Sequence, residues 1–268
     1  FRKLLVCEKN PFHAEAEAST EKIRAIADII IGLELQGFKG KKYANARSRE
    51  AEHVQWLIQY EANVISQGSM QHGKQSSRLT AYAKEQIGWR RTFHWPLEYP
   101  EIVEKGGFDA IVGNPPFLGG RRIRSTLGLQ YLQWLTVSLY PGTSGNADLC
   151  AFFFRRAFDL LASGGSFGLL ATNTISQADT RAVSLDPLLS ANGTIVLAEP
   201  DANWPGVAGV NISKVWMVKR KWAGVCLLAD TVVDKISSYL SPASGVQGHP
   251  HRLIANAEIA YVGSFLCG

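Results

Sequence analysis

Residues 108–117, Phe-Asp-Ala-Ile-Val-Gly-Asn-Pro-Pro-Phe, limit the fold more than any other stretch of the chain. A short apolar run of this kind is how a strand buried on both faces of a parallel sheet reads in sequence. Two prolines then stop it, because proline donates nothing to a sheet ladder. The residue before a proline is excluded from the helical region, so Asn114 is expected to be extended at the carboxyl end of the strand. In open α/β sheets that edge is where ligands bind. The side-chain oxygen of Asn114 and the carbonyl of Pro115 are then two fixed acceptors beside the Phe117 ring, with no proline N–H to compete.

The rest of the chain supplies the other parts of such a sheet. Apolar residues at 23, 26, 27, 30 and 33 predict a helix over Thr20–Gln36, capped by Ser19 or Thr20 and ended by Gly37. Weaker helical patterning follows at 50–65 and 79–87, joined by a Gly/Ser/Gln-rich connection at 66–77, which reads as a helical insertion. A further helix is expected over 126–140. Leu149, Phe152, Phe153, Arg156, Ala157, Leu160 and Leu161 fall at i, i+3, i+4, i+7, i+8, i+11 and i+12, so 148–162 is the firmest helix, ended by Gly164-Gly165. Strands are expected at 167–172, 194–198, 213–219 and 225–228. The order strand, helix, strand, helix, strand, strand predicts a doubly wound, Rossmann-like α/β sheet that closes on a hairpin.

Composition excludes several classes. A chain of 268 residues, 46% hydrophobic, has enough apolar material for a large core. No apolar stretch is long enough to span a bilayer and no secretory leader pattern opens the chain, so a cytoplasmic protein is expected. Cys7, Cys150, Cys226 and Cys267 show neither CxxC spacing nor nearby histidines, which leaves buried thiols and no metal site. The net charge of +5 permits a polyanionic partner without requiring one. Lys39, Lys41, Lys42, Arg47 and Arg49 read as a solvated face. Arg121, Arg122 and Arg124 follow the Asn-Pro-Pro-Phe turn directly, where they are either solvated or placed for phosphate.

Two fixed oxygens beside a ring suit a planar molecule with an exocyclic amino group, and adenine fits. The tetrapeptide Asn114-Pro115-Pro116-Phe117 resembles the catalytic motif of S-adenosylmethionine-dependent N6-adenine DNA methyltransferases. The likeness extends to Phe93-His94-Trp95-Pro96-Leu97-Glu98-Tyr99-Pro100-Glu101 upstream. Downstream it takes in Leu118-Gly119-Gly120-Arg121-Arg122, Ala147-Asp148-Leu149, Ala171-Thr172-Asn173-Thr174-Ile175 and Trp204-Pro205-Gly206. In that order these segments are similar to the large fused type IIG/IIL restriction-modification enzymes and phage-exclusion methyltransferases. The resemblance implies the class I methyltransferase fold, S-adenosylmethionine as cofactor and double-stranded DNA as partner.

It also implies roles. Asn114 and the Pro115 carbonyl would take the amino hydrogens of a flipped adenine, with Pro116 fixing the turn and Phe117 stacking on the base; Asn114 would also border the cofactor. Thr172, Asn173 and Thr174 end the next strand at the same edge, where they line the pocket or touch the displaced strand, and Arg181 reaches a phosphate. Trp204 is either a second aromatic wall or a residue packed under the hairpin. Asp148 is read as a helix cap, and His94 and Trp95 as structural.

No GxG turn precedes Asn114, and the chain starts at Phe1. It reads as an internal piece lacking the first βα unit, inactive alone. Leu4–Glu8 is then either the second strand, with Glu8 for the cofactor ribose, or a solvated stub. The expected organisation is partial methyltransferase core plus helical insertion at 1–92, catalytic part at 93–222, and the lead-in to a target-recognition domain at 223–268. A nuclease and the target-recognition domain itself would lie elsewhere in the parent protein. The residues leave two other functions open: methylation of a glutamine amide or an RNA guanine amino group, and nucleic-acid binding without catalysis.

Overall fold

The computed structural model describes residues 11–36, 40–66, 78–88, 90–204 and 211–243. Cys7, Glu8, Lys39, Pro205-Gly206 and the 244–268 lead-in lie outside them. A six-stranded sheet is the centre of the fold: β1 (Phe108–Gly113), β2 (Leu161–Thr172), β3 (Thr194–Asn203), β4 (Asn211–Val218), β5 (Cys226–Leu228) and β6 (Thr231–Val233), in spatial order β1-β2-β4-β3-β5-β6. β1 and β2 are parallel. β4 is antiparallel to both β2 and β3 and lies between them, so β3 runs with β1 and β2. The expected hairpin is therefore β3–β4, inserted into the sheet rather than added at its margin.

Helices α1 (Pro11–Leu35), α2 (Gly40–Ser66) and α3 (Arg78–Ile87) form a separate layer around Ala25, Ile29, Leu57, Leu79 and Ala83. Short helices α4 (Trp95–Glu98) and α5 (Pro100–Glu104) lead into β1. His94 Nε2 meets Asp28 Oδ1 of α1 at 2.7 Å, and Trp95 and Tyr99 pack edge-on against Phe108. His94 and Trp95 thus fasten the start of β1 to the helical layer, as their structural reading expected.

After β1 come α6 (Gly120–Leu127), α7 (Leu129–Gln133) and a six-residue π-helix, Trp134–Leu139. The single helix expected over 126–140 is broken at Gly128, whose φ of 92° no helix accommodates. The wide turn continues with Thr136 Oγ1 donating back to Leu132 O at 2.9 Å. α8 (Leu149–Leu160) crosses to β2, and α9 (Ala178–Val183) and α10 (Leu185–Ser190) cross to β3.

The main core lies between one sheet face and α8 and α10. Phe154, Phe158, Leu185 and Leu188 meet Phe167, Leu169, Ile195, Val215 and Met217. A second core, Ile123, Leu135, Tyr140, Leu149 and Phe152, joins α6 and the π-helix to the far side of α8. The opposite sheet face is open among the described residues. There Val112, Gly168, Trp216, Leu197 and Leu227 follow one another from strand to strand, and Val112 is 87% exposed. The expectation that β1 is buried on both faces is corrected accordingly. Among the described residues β1 pairs only with β2, and Asp109, Ala110 and Val112 face solvent.

Candidate active site

The parallel strands β1, β2 and β3 all end at one sheet edge. Gly113 is paired with Leu169, so β2 runs three residues further before Thr172, and β3 carries the chain to Trp204 just beyond Asn203. That edge gathers Asn114 and Thr172–Thr174, as the sequence reading expected, together with Trp204, for which the sequence left two placements open. Asn114 and Pro116 are exposed, Pro115 is buried, and Phe117 is half-buried against the main core. The turn thus hangs from a buried proline and an anchored ring while Asn114 is exposed. With Phe117 packed inward, part of its surface is already used as a foot for the loop.

Thr172 and Thr174 share a hydrogen bond of 2.7 Å between their hydroxyls, and Asn173 O accepts from Ser176 Oγ at 3.2 Å in a 3₁₀ turn over Asn173–Ser176. These bonds shape a short wall beside the Asn114 turn. Trp204 is half-buried at the end of β3. Arg121, Arg122 and Arg124 are exposed on α6, within two turns of helix from Phe117.

Arg181 is a correction. It was expected at a phosphate, yet it is 6% exposed, with Nε 3.4 Å from Asp186 Oδ2 and the guanidinium 3.7 Å above the Tyr239 ring. A buried cation committed to a half-buried carboxylate and a ring face holds α9, α10 and the 236–240 segment together. Glu8 lies outside the described residues. A cavity of about 450 Å³ between α1, α2 and α3, lined by Leu33, Ala46, Arg49, His53 and Tyr82, belongs to the helical layer and holds none of the site residues.

The backing of the turn was missed in sequence. Leu118, one residue past Phe117, donates its N–H to Asp148 Oδ1 at 3.2 Å and accepts from Leu149 N at 2.9 Å. Asp148 is also the N-cap of α8, accepting from Cys150 N at 3.0 Å, as its reading as a cap required. Gly120 lies so close to Asn146 that a Cβ there would fall 2.2 Å from the Asn146 carbonyl carbon. Cys150 is fully buried beneath this junction, and burial together with Asp148 pushes its thiol pKa well up, so it stays protonated and inert.

The turn sets the Asn114 side chain and the Pro115 carbonyl, two neutral acceptors, at the end of a parallel strand with the Phe117 ring following them. Residues 19–194 match the Eco57I restriction-modification methylase family. The chain belongs to that family. It is 26% identical over 187 residues to the adenine-specific methyltransferase PglX of Streptomyces coelicolor, an alignment covering 59% of this chain and 14% of that one. Among solved structures it is similar to the type IIL restriction-modification enzyme MmeI in complex with DNA, with a TM-score of 0.46 at 17% identity, covering 63% of this chain and 26% of that one. A modification subunit of a putative type I restriction enzyme from Vibrio vulnificus matches with a TM-score of 0.33 at 13% identity, covering 46% and 25%. The methylase chain described here thus spans about one seventh of the length of its curated relative. The family match contains the whole of β1, the Asn-Pro-Pro-Phe turn and the Thr172–Thr174 wall, but stops before β4.

Proposed function

We propose that this methylase domain transfers a methyl group to the N6 amino group of adenine in double-stranded DNA. The observation that carries the reading is Asn114, exposed at the carboxyl end of β1 in a turn fixed by buried Pro115, within a restriction-modification methylase family.

The geometry of the turn gives each residue a task. Adenine's amino nitrogen is a weak nucleophile because its lone pair is delocalised into the ring, and in a duplex it is hidden. The base must leave the stack, which costs a few kcal/mol. In the site, the Asn114 side-chain oxygen and the Pro115 carbonyl accept the two amino hydrogens. They favour a pyramidal nitrogen and stabilise the positive charge that develops on it as the methyl carbon exchanges its bond to sulfur for one to nitrogen, and one of the two amino protons then passes to water. These oxygens are set before the base arrives, so they need no reorganisation during the reaction. Phe117 offers its remaining face to the base, and stacking of this kind is worth roughly 1–3 kcal/mol. Thr172–Thr174 and Trp204 border the base, and Arg121, Arg122 and Arg124 meet the phosphates on either side of it.

S-adenosylmethionine supplies an electrophilic methyl group when bound, and a set of neutral acceptors with no general base suits that donor. In this reading Asn114 would also border it. In the same reading residues 93–222 are the catalytic part of the domain, 1–92 carry a partial core and helical insertion, and 223–268 lead toward target recognition. A nuclease and the recognition domain lie elsewhere in the parent protein.

The test is methylation of a mixed-sequence duplex by the full-length natural protein with labelled cofactor, followed by digestion to nucleosides. Label in N6-methyldeoxyadenosine supports the reading. Label only in protein, or only in RNA guanine, overturns it.

A further inference from the structure

The turn that presents Asn114 rests on buried Pro115 and on Phe117, but Pro116 is exposed and Phe117 only half-buried, so these two alone do not set its direction. It is held from behind. Both backbone polar groups of Leu118 are bonded to the start of α8, the N–H to Asp148 Oδ1 at 3.2 Å and the carbonyl to Leu149 N at 2.9 Å. The Asp148 residue is only 7% exposed, and the same Oδ1 caps α8 through Cys150 N at 3.0 Å. Its own backbone N–H donates to Thr180 Oγ1 at 3.1 Å, on the helix that follows the Thr172–Thr174 wall. One buried oxygen therefore joins the catalytic turn to α8, and the residue carrying it joins both to α9.

A helix cap needs only the bond to Cys150. The bond to Leu118 spans 30 residues of chain and contributes nothing to the cap. It satisfies an N–H that would otherwise be left without a partner beside the core, and it sets the direction in which the chain leaves Phe117. We propose that Asp148 is a positioning residue for methyl transfer, holding the Asn114–Phe117 turn in register with the Thr172–Thr174 wall. This rests on the reading of Asn114 as an acceptor for the substrate amino group. Asp148 touches no substrate; it acts through the backbone of Leu118.

Side-chain length separates clamp from cap. In Asp148→Asn the amide oxygen replaces Oδ1 and retains both bonds. In Asp148→Ser the hydroxyl still caps Cys150 N, as serine does at helix starts, but it is too short to reach Leu118 N as well. Asp148→Ala loses both.

The experiment uses the full-length natural protein and two readouts on each variant: single-turnover methyl transfer to duplex DNA, and hydrogen exchange at the Leu118 amide. The Asn variant should transfer at close to the wild-type rate with a protected amide. The Ser variant should keep its cofactor KM and melt only a few degrees below wild type, from the unpaired Leu118 N–H, while the rate falls by about 100-fold, the usual effect of a misplacement on the order of 1 Å, and its Leu118 amide should exchange faster. The Ala variant should lose rate and stability together. A Ser variant with a wild-type rate, or a Leu118 amide still protected in it, overturns the proposal. If the wild-type protein transfers no methyl group to DNA, the functional reading fails instead, and amide exchange in the same variants still decides whether the clamp exists.

Discussion

Gly120→Ala tests how tightly the catalytic turn is clipped to the chain before α8. An added Cβ would lie 2.2 Å from both the carbonyl carbon and oxygen of Asn146 and 2.5 Å from its Cα. Ordinary carbon contacts begin at about 3.5 Å, so the two backbones must part by roughly 1 Å or more. No flexible side chain can absorb that shift, because all three nearest atoms are backbone. Overpacking of this kind costs about 1–3 kcal/mol. In a domain of this size each kcal/mol lowers the melting temperature by roughly 2–4 °C, which predicts a fall of about 2–12 °C. The displaced segment carries Leu118 and Asn114, and a shift on the order of 1 Å at a reacting group costs about 100-fold in rate. Gly119→Ala is the control, since its Cβ would meet nothing within 4 Å and its φ is −54°. Calorimetric melting and single-turnover methylation of both variants in the full-length protein decide the matter. A Gly120 variant as stable and as fast as the Gly119 variant would refute the argument that the clip is rigid.

Arg121→Ala and Arg122→Ala should each lower the slope of log affinity for duplex DNA against log salt by about 0.9, one phosphate apiece; a slope unchanged in both removes α6 from the DNA interface. Tyr82 is held protonated, with its pKa pushed up from 10.0 to about 12 by burial and then by its hydrogen bond to Glu50. Its contribution to stability is complete below the unfolded pKa and is lost as pH rises through the folded one, so the α1–α3 layer should weaken between pH 10 and about 12. Thermal melts across that window should show a shallower decline in Tyr82→Phe, and identical slopes would contradict the linkage. The 268-residue chain alone should bind S-adenosylmethionine more weakly than micromolar, since no GxG turn precedes Asn114 in it. A calorimetric Kd in the micromolar range, about −8 kcal/mol, would place more of the cofactor's seat within it.

The strands and the sheet edge were legible because local pattern and tertiary role coincide there. Asn114 and Thr172 lie at the ends of apolar runs, and strand ends in a parallel sheet share an edge whatever the helices do. α8 was legible as a helix but not in its orientation. The spacing from Leu149 to Leu161 picks out one apolar stripe, yet the buried residues include Cys150, Phe154 and Phe158 facing the sheet and Leu149, Ala151 and Phe152 facing α6 and the π-helix. A helix packed on two sides is apolar nearly all round, and periodicity then stops indicating a face.

α6 was missed because Gly119-Gly120 reads as a loop and only Gly120 and Ile123 of the helix are buried. The second glycine is there for its closeness to Asn146, a contact no local pattern reveals. The β5–β6 hairpin turns on Ala229 and Asp230, with φ of 45° and 66°, a conformation that sequence normally announces with Asn-Gly. Arg181 looked like a surface cation in a polar stretch; its partners Asp186 and Tyr239 come from other elements. Asp148 was legible as a cap from its place before an apolar run, while its bond to Leu118 depends on two segments 30 residues apart meeting in space.

The central claim is that Asn114 accepts an amino hydrogen of the reacting base. Single-turnover methylation of an adenine-containing duplex by the full-length Asn114→Ala protein, at saturating cofactor and DNA, tests it most directly. Loss of one of two fixed acceptors should slow the chemical step by roughly 100-fold or more while DNA affinity changes little. A rate constant equal to wild type would contradict the account.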